Sequence, residues 1–308
     1  MDFWVGLTDK SWFQHLAQLC PDELNFWRPS GRKFGAVPAG APFLFKLHSP
    51  DSYIVGGGSF VRAERLPLTL AWDAFGEKNG APSLSALRRL IQGHRGDEDI
   101  NPEIGCIILN APFFFPREHW IPAPQDWQPR WIGKTYSTNE LTGLGLWKQV
   151  SATMPFARVA PEVTRELLEV GVAERPLGRQ YLATARFGQG AFRVQVLGAY
   201  HHQCAATGER ALPTLQAAHI KPYADGGPSR THNGLTLRAD LHALFDQGYV
   251  TVTPELRVEV SHRIKQDFDN GQDYYPLHGR RLLVLPNALE DRPRREFLEW
   301  HNEKVYLA

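Results

Sequence analysis

The first 136 residues carry short apolar runs separated by glycine and proline, the pattern of a β-rich domain. Phe43-Leu-Phe-Lys-Leu47 is one such run, Tyr53-Ile-Val55 stops at Gly56-Gly57-Gly58, and Ile104-Gly-Cys-Ile-Ile-Leu109 stops before Pro112. Two stretches have helical spacing instead. One covers Lys10 to Leu19, with Thr8 or Asp9 as cap; the other opens at Ser83 and repeats apolar residues at Leu84, Leu87, Leu90 and Ile91. Residues 137–190 read as a helical connector, with a helix from Pro161 to Val170 closed by Gly171. Residues 191–308 form a second domain. There Phe192, Val196, Leu197 and Tyr200 favour a helix over 191–200, Tyr249–Val252 alternates as a strand with a hairpin partner in Leu256–Val260, and Arg294–Asn302 predicts a terminal helix. The fold class expected is α+β.

Between the first helix and the hairpin of this second domain, polar and apolar positions change character every few residues. Ala217-Ala-His219-Ile reads as a short strand ended by Pro222, and Asp225-Gly226-Gly227 is a turn. Leu235-Thr-Leu237 alternates like a returning strand, and Asp240 to Gln247 forms a short helix stopped at Gly248.

Candidate chemistry concentrates in the same segment, since eight of the 12 histidines follow residue 200. An ordinary imidazole titrates near neutrality, so His219 is a candidate base for an attacking water. His242 and Asp246 are four apart and share a helix face, which suits a divalent ion; Asp240 is a further candidate ligand. The Asn233 amide does not titrate, but it can tie down the loop between the strands and hold His219.

Composition changes the picture little. The chain of 308 residues is 43% hydrophobic and 11% aromatic, enough for about two folded domains. A net charge of +1 removes any argument from a globally basic surface, so DNA contacts would come from local groups: Arg280 and Arg281, and Arg292, Arg294 and Arg295. The three cysteines, Cys20, Cys106 and Cys204, lack both disulfide and zinc spacing, so no structural zinc is expected. No basic, apolar leader and no membrane-length apolar stretch is seen, so a cytoplasmic protein without membrane contact is expected.

The ordered set His219, Asn233 and His242, at intervals of 14 and 9, with its "AAHI-P" and "NGL-L---LH-LFD" strings, resembles the HNH (ββα-metal) endonucleases of the bacterial restriction type. The resemblance implies His219 as general base, Asn233 as loop organiser, and a metal at His242, with Mg²⁺ or Mn²⁺ as the expected ion. Many members carry an Asp or a second His just before the first His; here Ala218 stands there, leaving His242, Asp246 and Asp240 as ligands.

Residues 1 to about 135, through Asn25-Phe-Trp-Arg-Pro29, Ile54-Val-Gly-Gly-Gly58 and Leu70-Ala-Trp-Asp-Ala-Phe-Gly76, resemble the EVE branch of the PUA-like β-barrel domains, relatives of SRA. Such domains hold a flipped modified base between flat apolar walls. The resemblance implies walls from Phe26, Trp27, Trp72 and Phe75, and edge readers among Asn25, Ser59 and Asp73. Together the two domains imply a modification-dependent restriction endonuclease that reads methylated or hydroxymethylated cytosine in double-stranded DNA and cuts as a homodimer. The alternatives are an HNH endonuclease specific for an unmodified sequence and a non-catalytic reader of modified nucleic acid.

Overall fold

The computed structural model describes residues 1–31, 34–160 and 188–308. Their contacts divide into two units, Met1–Gly188 and Gln189–Ala308. The helix expected over 161–170 lies outside the described residues. Among the described residues no helix is long and apolar enough to cross a membrane.

The first unit runs β1 (Asp2–Thr8), α1 (Lys10–Leu19), β2 (Glu23–Arg28), β3 (Pro42–Leu47), β4 (Tyr53–Pro67), α2 (Leu68–Phe75), α3 (Leu84–Arg95), β5 (Glu103–Phe114), β6 (Ile121–Pro122), β7 (Gly133–Ser137), α4 (Leu141–Thr153) and β8 (Arg158–Val159). All eight strands join one sheet of order β2-β5-β4-β3-β1-β7, with β6 added to β4 and β8 to β5. The order ends at β2 and β7, and no pairing joins those two among the described residues.

Apolar side chains cover both faces of this sheet. Phe43, Phe45 and Leu47 pack with Trp12, Phe13 and Leu16 of α1, whereas Leu44 packs on the other face with Phe3, Val5 and the α4 residues Leu146 and Val150. A strand buried on both sides has no polar face to alternate with, which is why 43–47 reads as a continuous apolar run. Two strands are longer than their sequence suggests. β4 continues through Gly56-Gly57-Gly58 because neighbouring strands crowd it: a Cβ on Gly56 would lie 2.2 Å from the Phe113 carbonyl oxygen, and one on Gly57 2.6 Å from that of Phe43. β5 continues past Pro112 because the β4–β5 register shifts between Gly57 and Ser59, and a bulge removes the need for the proline's missing N–H.

The second unit runs α5 (Gln189–Ala199), β9 (Leu215–His219), β10 (Gly234–Arg238), α6 (Ala239–Asp246), β11 (Val250–Val252), β12 (Val258–Val260), α7 (Arg263–Phe268) and α8 (Arg295–Lys304). β9 and β10 pair antiparallel with His219 opposite Gly234 and Ala218 opposite Leu235, and α6 follows directly. Packing explains Gly234, since a Cβ there would meet Val196 at 2.5 Å and Phe192 at 3.0 Å.

α8 is tied to α6 and β11 by one buried imidazole. His301 is 2% exposed, its Nε2 lies 3.1 Å from the Phe245 carbonyl oxygen, and its Nδ1 lies 2.8 Å from Thr251 Oγ1. The carbonyl can only accept, so Nε2 carries the proton and Nδ1 accepts from the Thr251 hydroxyl. The ring also stacks on Phe245 at 3.7 Å, and burial lowers its pKa to about 4.

Candidate active site

The antiparallel β9–β10 pair and the helix after it bring His219, Asn233 and His242 together. His219 ends β9, Asn233 immediately precedes β10, and His242 lies in the middle of α6. The His219 ring is stacked against Phe192 of α5 at 3.7 Å and 9° between planes. Its Nε2 lies 3.5 Å from Ser229 Oγ. Burial, and next the neighbouring His242, lower its pKa to about 4, while Asp246 acts in the opposite direction. At neutral pH the ring is therefore uncharged and able to accept a proton.

Asn233 is fully buried and uses its whole amide on one loop. Its Oδ1 accepts from the Lys221 backbone N–H at 2.9 Å, and Nδ2 donates to the carbonyls of Lys221 at 2.9 Å and Pro228 at 3.0 Å. The backbone adds a fourth tie, from Ile220 N–H to the Asn233 carbonyl at 3.0 Å. The loop that leaves His219 is thereby closed on the strand that returns. Gly227 is held inside this closure: a Cβ there would sit 1.9 Å from the Lys221 oxygen and 2.8 Å from Asn233 Nδ2.

His242 points its two ring nitrogens at different partners. Nε2 lies 3.3 Å from Asp246 Oδ2 one turn along α6, and Nδ1 lies 2.7 Å from Gln216 Oε1 on β9. Asp246 is the more exposed of the pair, at 58% against 20% for His242. One nitrogen and one carboxylate side by side, open to solvent, fit a divalent ion that keeps several waters and takes phosphate oxygens. Asp240 is engaged differently. Arg238 Nε donates to its Oδ1 at 3.0 Å and Nη2 to its Oδ2, and this pairing holds the carboxyl below the usual range. Among the described residues no three His, Cys, Asp or Glu side chains stand close enough to share an ion. Ala218, which directly precedes His219, is fully buried opposite Leu235.

The arginines proposed to meet DNA are partly occupied. Arg280 and Arg281 are exposed, and the Arg281 backbone forms an antiparallel β-bridge with that of Arg257. Arg292 donates to the Pro286 carbonyl, Arg294 faces Glu296 at 3.6 Å, and Arg295 pairs with Glu299 and, at 3.8 Å, with Glu255.

In the first unit a cavity of about 320 Å³ opens beside β1 and β2. Phe26 and Trp27 line it, joined by Trp4, Trp12 and Phe34 as further aromatic walls and by Asp9, His48 and His94 as polar groups. Asp9 holds both histidines, with its carboxylate oxygens 3.5 Å from His48 Nε2 and 3.1 Å from His94 Nε2. Trp27 meets His94 edge-on and spends its own N–H on the Asn79 carbonyl at 2.9 Å. The other expected wall and edge residues lie off this lining. Asn25 is buried against Asn79 and Cys106, Ser59 is buried between β3 and β5, and Trp72, Asp73 and Phe75 belong to α2. The residues that sequence reading missed, from Trp4 on β1 to His94 on α3, are far apart in the chain and become neighbours only through the sheet order.

Residues 204–253 match the HNH endonuclease family, so the ββα segment is an HNH endonuclease domain. No curated protein matches the chain. Three solved structures show weak overall likeness. The ASCH protein of Zymomonas mobilis is 11% identical over 47% of this chain and 94% of its own, with a TM-score of 0.34. The modification-dependent TagI restriction endonuclease is 14% identical over 92% of this chain and 75% of its own, at 0.28. The type IV phosphorothioation-dependent restriction endonuclease ScoMcrA is 14% identical over 78% and 49%, at 0.21.

Proposed function

We propose that the chain is a metal-dependent DNA endonuclease in which the HNH domain cuts and the first unit selects DNA carrying a modified cytosine. The observation that carries the nuclease half is the grouping of an uncharged His219, the loop closed by Asn233, and the His242–Asp246 pair within one ββα segment.

His219 accepts a proton from the attacking water. The ring is a weak base in the free site, and the negative charge of a bound phosphate raises its proton affinity at the moment it is needed. Phe192 fixes the plane of the ring, and Asn233 fixes the backbone that leaves it. His242 and Asp246 would hold a divalent ion, Mg²⁺ or Mn²⁺, which would supply a Lewis acid for the scissile phosphate and the leaving oxygen. In this reading the exposed Arg280, Arg281 and Arg294 contact backbone phosphates, which positions DNA without reading its sequence.

The aromatic cavity supports the selecting half. A base turned out of a duplex needs flat walls and a few polar edge groups, and Trp4, Trp27 and Phe34 with Asp9 and His94 offer both. One HNH site cuts one strand, so in this reading two copies of the chain act together to break both strands.

The test uses one plasmid in unmodified, methylated and hydroxymethylated forms, each with Mg²⁺, Mn²⁺ or EDTA, against the wild type and His219→Ala. Cleavage confined to modified DNA, dependent on metal and lost in the variant, is the expected result. Equal cleavage of all three plasmids would remove the selecting role of the first unit. No cleavage under any ion would sink the nuclease reading in favour of a binding protein.

A further inference from the structure

We propose that Gln216 is a positioning residue for the metal site: its side-chain oxygen holds the proton on His242 Nδ1, so that Nε2 presents its lone pair beside Asp246. The inference rests on the reading of His242 and Asp246 as ion ligands. Three observations carry it. Gln216 Oε1 and His242 Nδ1 are 2.7 Å apart, at the short end for a hydrogen bond between neutral groups. The contact joins β9 to α6 across 26 residues, so it fixes the ring against the strand that ends in His219. The other ring nitrogen faces the Asp246 carboxylate at 3.3 Å.

The chemistry of the imidazole links these contacts. A neutral ring has one N–H and one lone pair, and only the lone pair binds a metal. With Nε2 toward Asp246 as the ligand atom, the proton must sit on Nδ1, where an acceptor is required. Gln216 Oε1 is that acceptor. Without an ion the ring can instead carry its proton on Nε2 and donate it to Asp246, and the Gln216 amide, turned over, can donate to Nδ1. Gln216 thus serves the ring in both states, and an ion entering between Nε2 and Asp246 shifts the ring's one proton from Nε2 to Nδ1 with no net release. In metal sites generally, partners of this kind raise affinity about 10–100-fold.

The experiment compares wild type, Gln216→Leu and Gln216→Glu in the full chain. Leucine keeps the volume and removes the acceptor; glutamate keeps an acceptor for Nδ1–H. Mn²⁺ binding is measured by calorimetry, and the His242 tautomer by ¹⁵N NMR of histidine-labelled protein saturated with Mg²⁺. The expected results are a proton on Nδ1 in the wild type, Mn²⁺ affinity about 10–100-fold lower in Gln216→Leu, and affinity restored in Gln216→Glu. Unchanged affinity in Gln216→Leu would overturn the role of Gln216 while leaving the metal reading intact; a wild-type ring protonated on Nε2 with Mg²⁺ bound would overturn that role together with His242 as a ligand. A wild type that takes up neither ion would overturn both, and the two failures are told apart by that first titration.

Discussion

Asn233 and Lys221 are joined by a closed pair of hydrogen bonds, the Asn233 amide accepting from the Lys221 N–H and donating to the Lys221 carbonyl, both at 2.9 Å. An amide side chain here does the work of a strand partner, holding a backbone that has already left β9. Asn233→Ala removes both bonds and the one to Pro228 from a fully buried site. At about 1–3 kcal/mol for each buried group left unpaired, three such groups make the expected loss at least about 3 kcal/mol. Urea unfolding measures it. Cleavage should fall by about 10²-fold as His219 loses its fixed position. Asn233→Asp should not rescue either readout, since a carboxylate would face two carbonyl oxygens with no proton to give them.

Two adjacent glycines separate crowding from backbone strain. Gly227 lies against the Lys221 carbonyl, so Gly227→Ala must push the loop off Asn233 and should cost cleavage nearly as heavily as Asn233→Ala. Gly226 has φ of +83° with open space around it. Gly226→Ala should therefore cost about 1–2 kcal/mol of stability, the penalty of a left-handed alanine, and leave cleavage within a few-fold of wild type. Equal cleavage by the two variants would show that the Gly227 contact plays no part in holding the site.

How much of this was legible in the sequence depends on how local each signal is. The ββα order could be read because its markers are short-range: an apolar strand ended at Pro222, a glycine turn, an alternating return strand and an i,i+4 pair on one helix. Gln216 and Phe192 carried no such marker. Each touches a histidine only because β9, α5 and α6 pack together, and nothing in the spacing encodes that. The first unit was harder for a related reason. Gly56-Gly57-Gly58 and Pro112 look like ends of strands, yet they are places where strands press closest or bulge. Trp72 and Phe75 were expected as walls on aromatic type, which alone does not say whether a residue on α2 or one on the sheet lines the cavity.

His301 makes stability depend on pH with a definite sign. Its folded-state pKa, near 4, lies below the ordinary value of 6.5, so the folded protein resists a proton that the unfolded chain accepts. Stability is full above about 6.5, falls as pH drops, and levels off near 4. The gap is worth roughly 3 kcal/mol at most. His219 and His232, also lowered by burial, act in the same direction. Melting temperatures of wild type and His301→Phe between pH 4 and 8 separate this group from the others. The variant should melt lower at pH 8, having lost its bonds to Thr251 and Phe245, and should show a shallower fall toward pH 4. Parallel curves would remove His301 as a source of acid sensitivity.

Trp27 and Trp72 provide the sharpest test of where a base would be held. Both are partly buried tryptophans of the first unit, but Trp27 lines the cavity and Trp72 sits on α2 away from it. If a turned-out base stacks in the cavity, Trp27→Ala removes a wall worth about 1–3 kcal/mol per base, or roughly 5- to 150-fold in affinity. The loss should fall on duplexes carrying the modified cytosine and spare unmodified ones, because contacts to phosphate are untouched. Trp72→Ala should bind both duplexes as the wild type does. Fluorescence anisotropy with the two duplexes and the three proteins is sufficient. Equal weakening on both duplexes by Trp27→Ala would mean a general loss of DNA contact. A selective loss in Trp72→Ala alone would move the base off this cavity and onto α2.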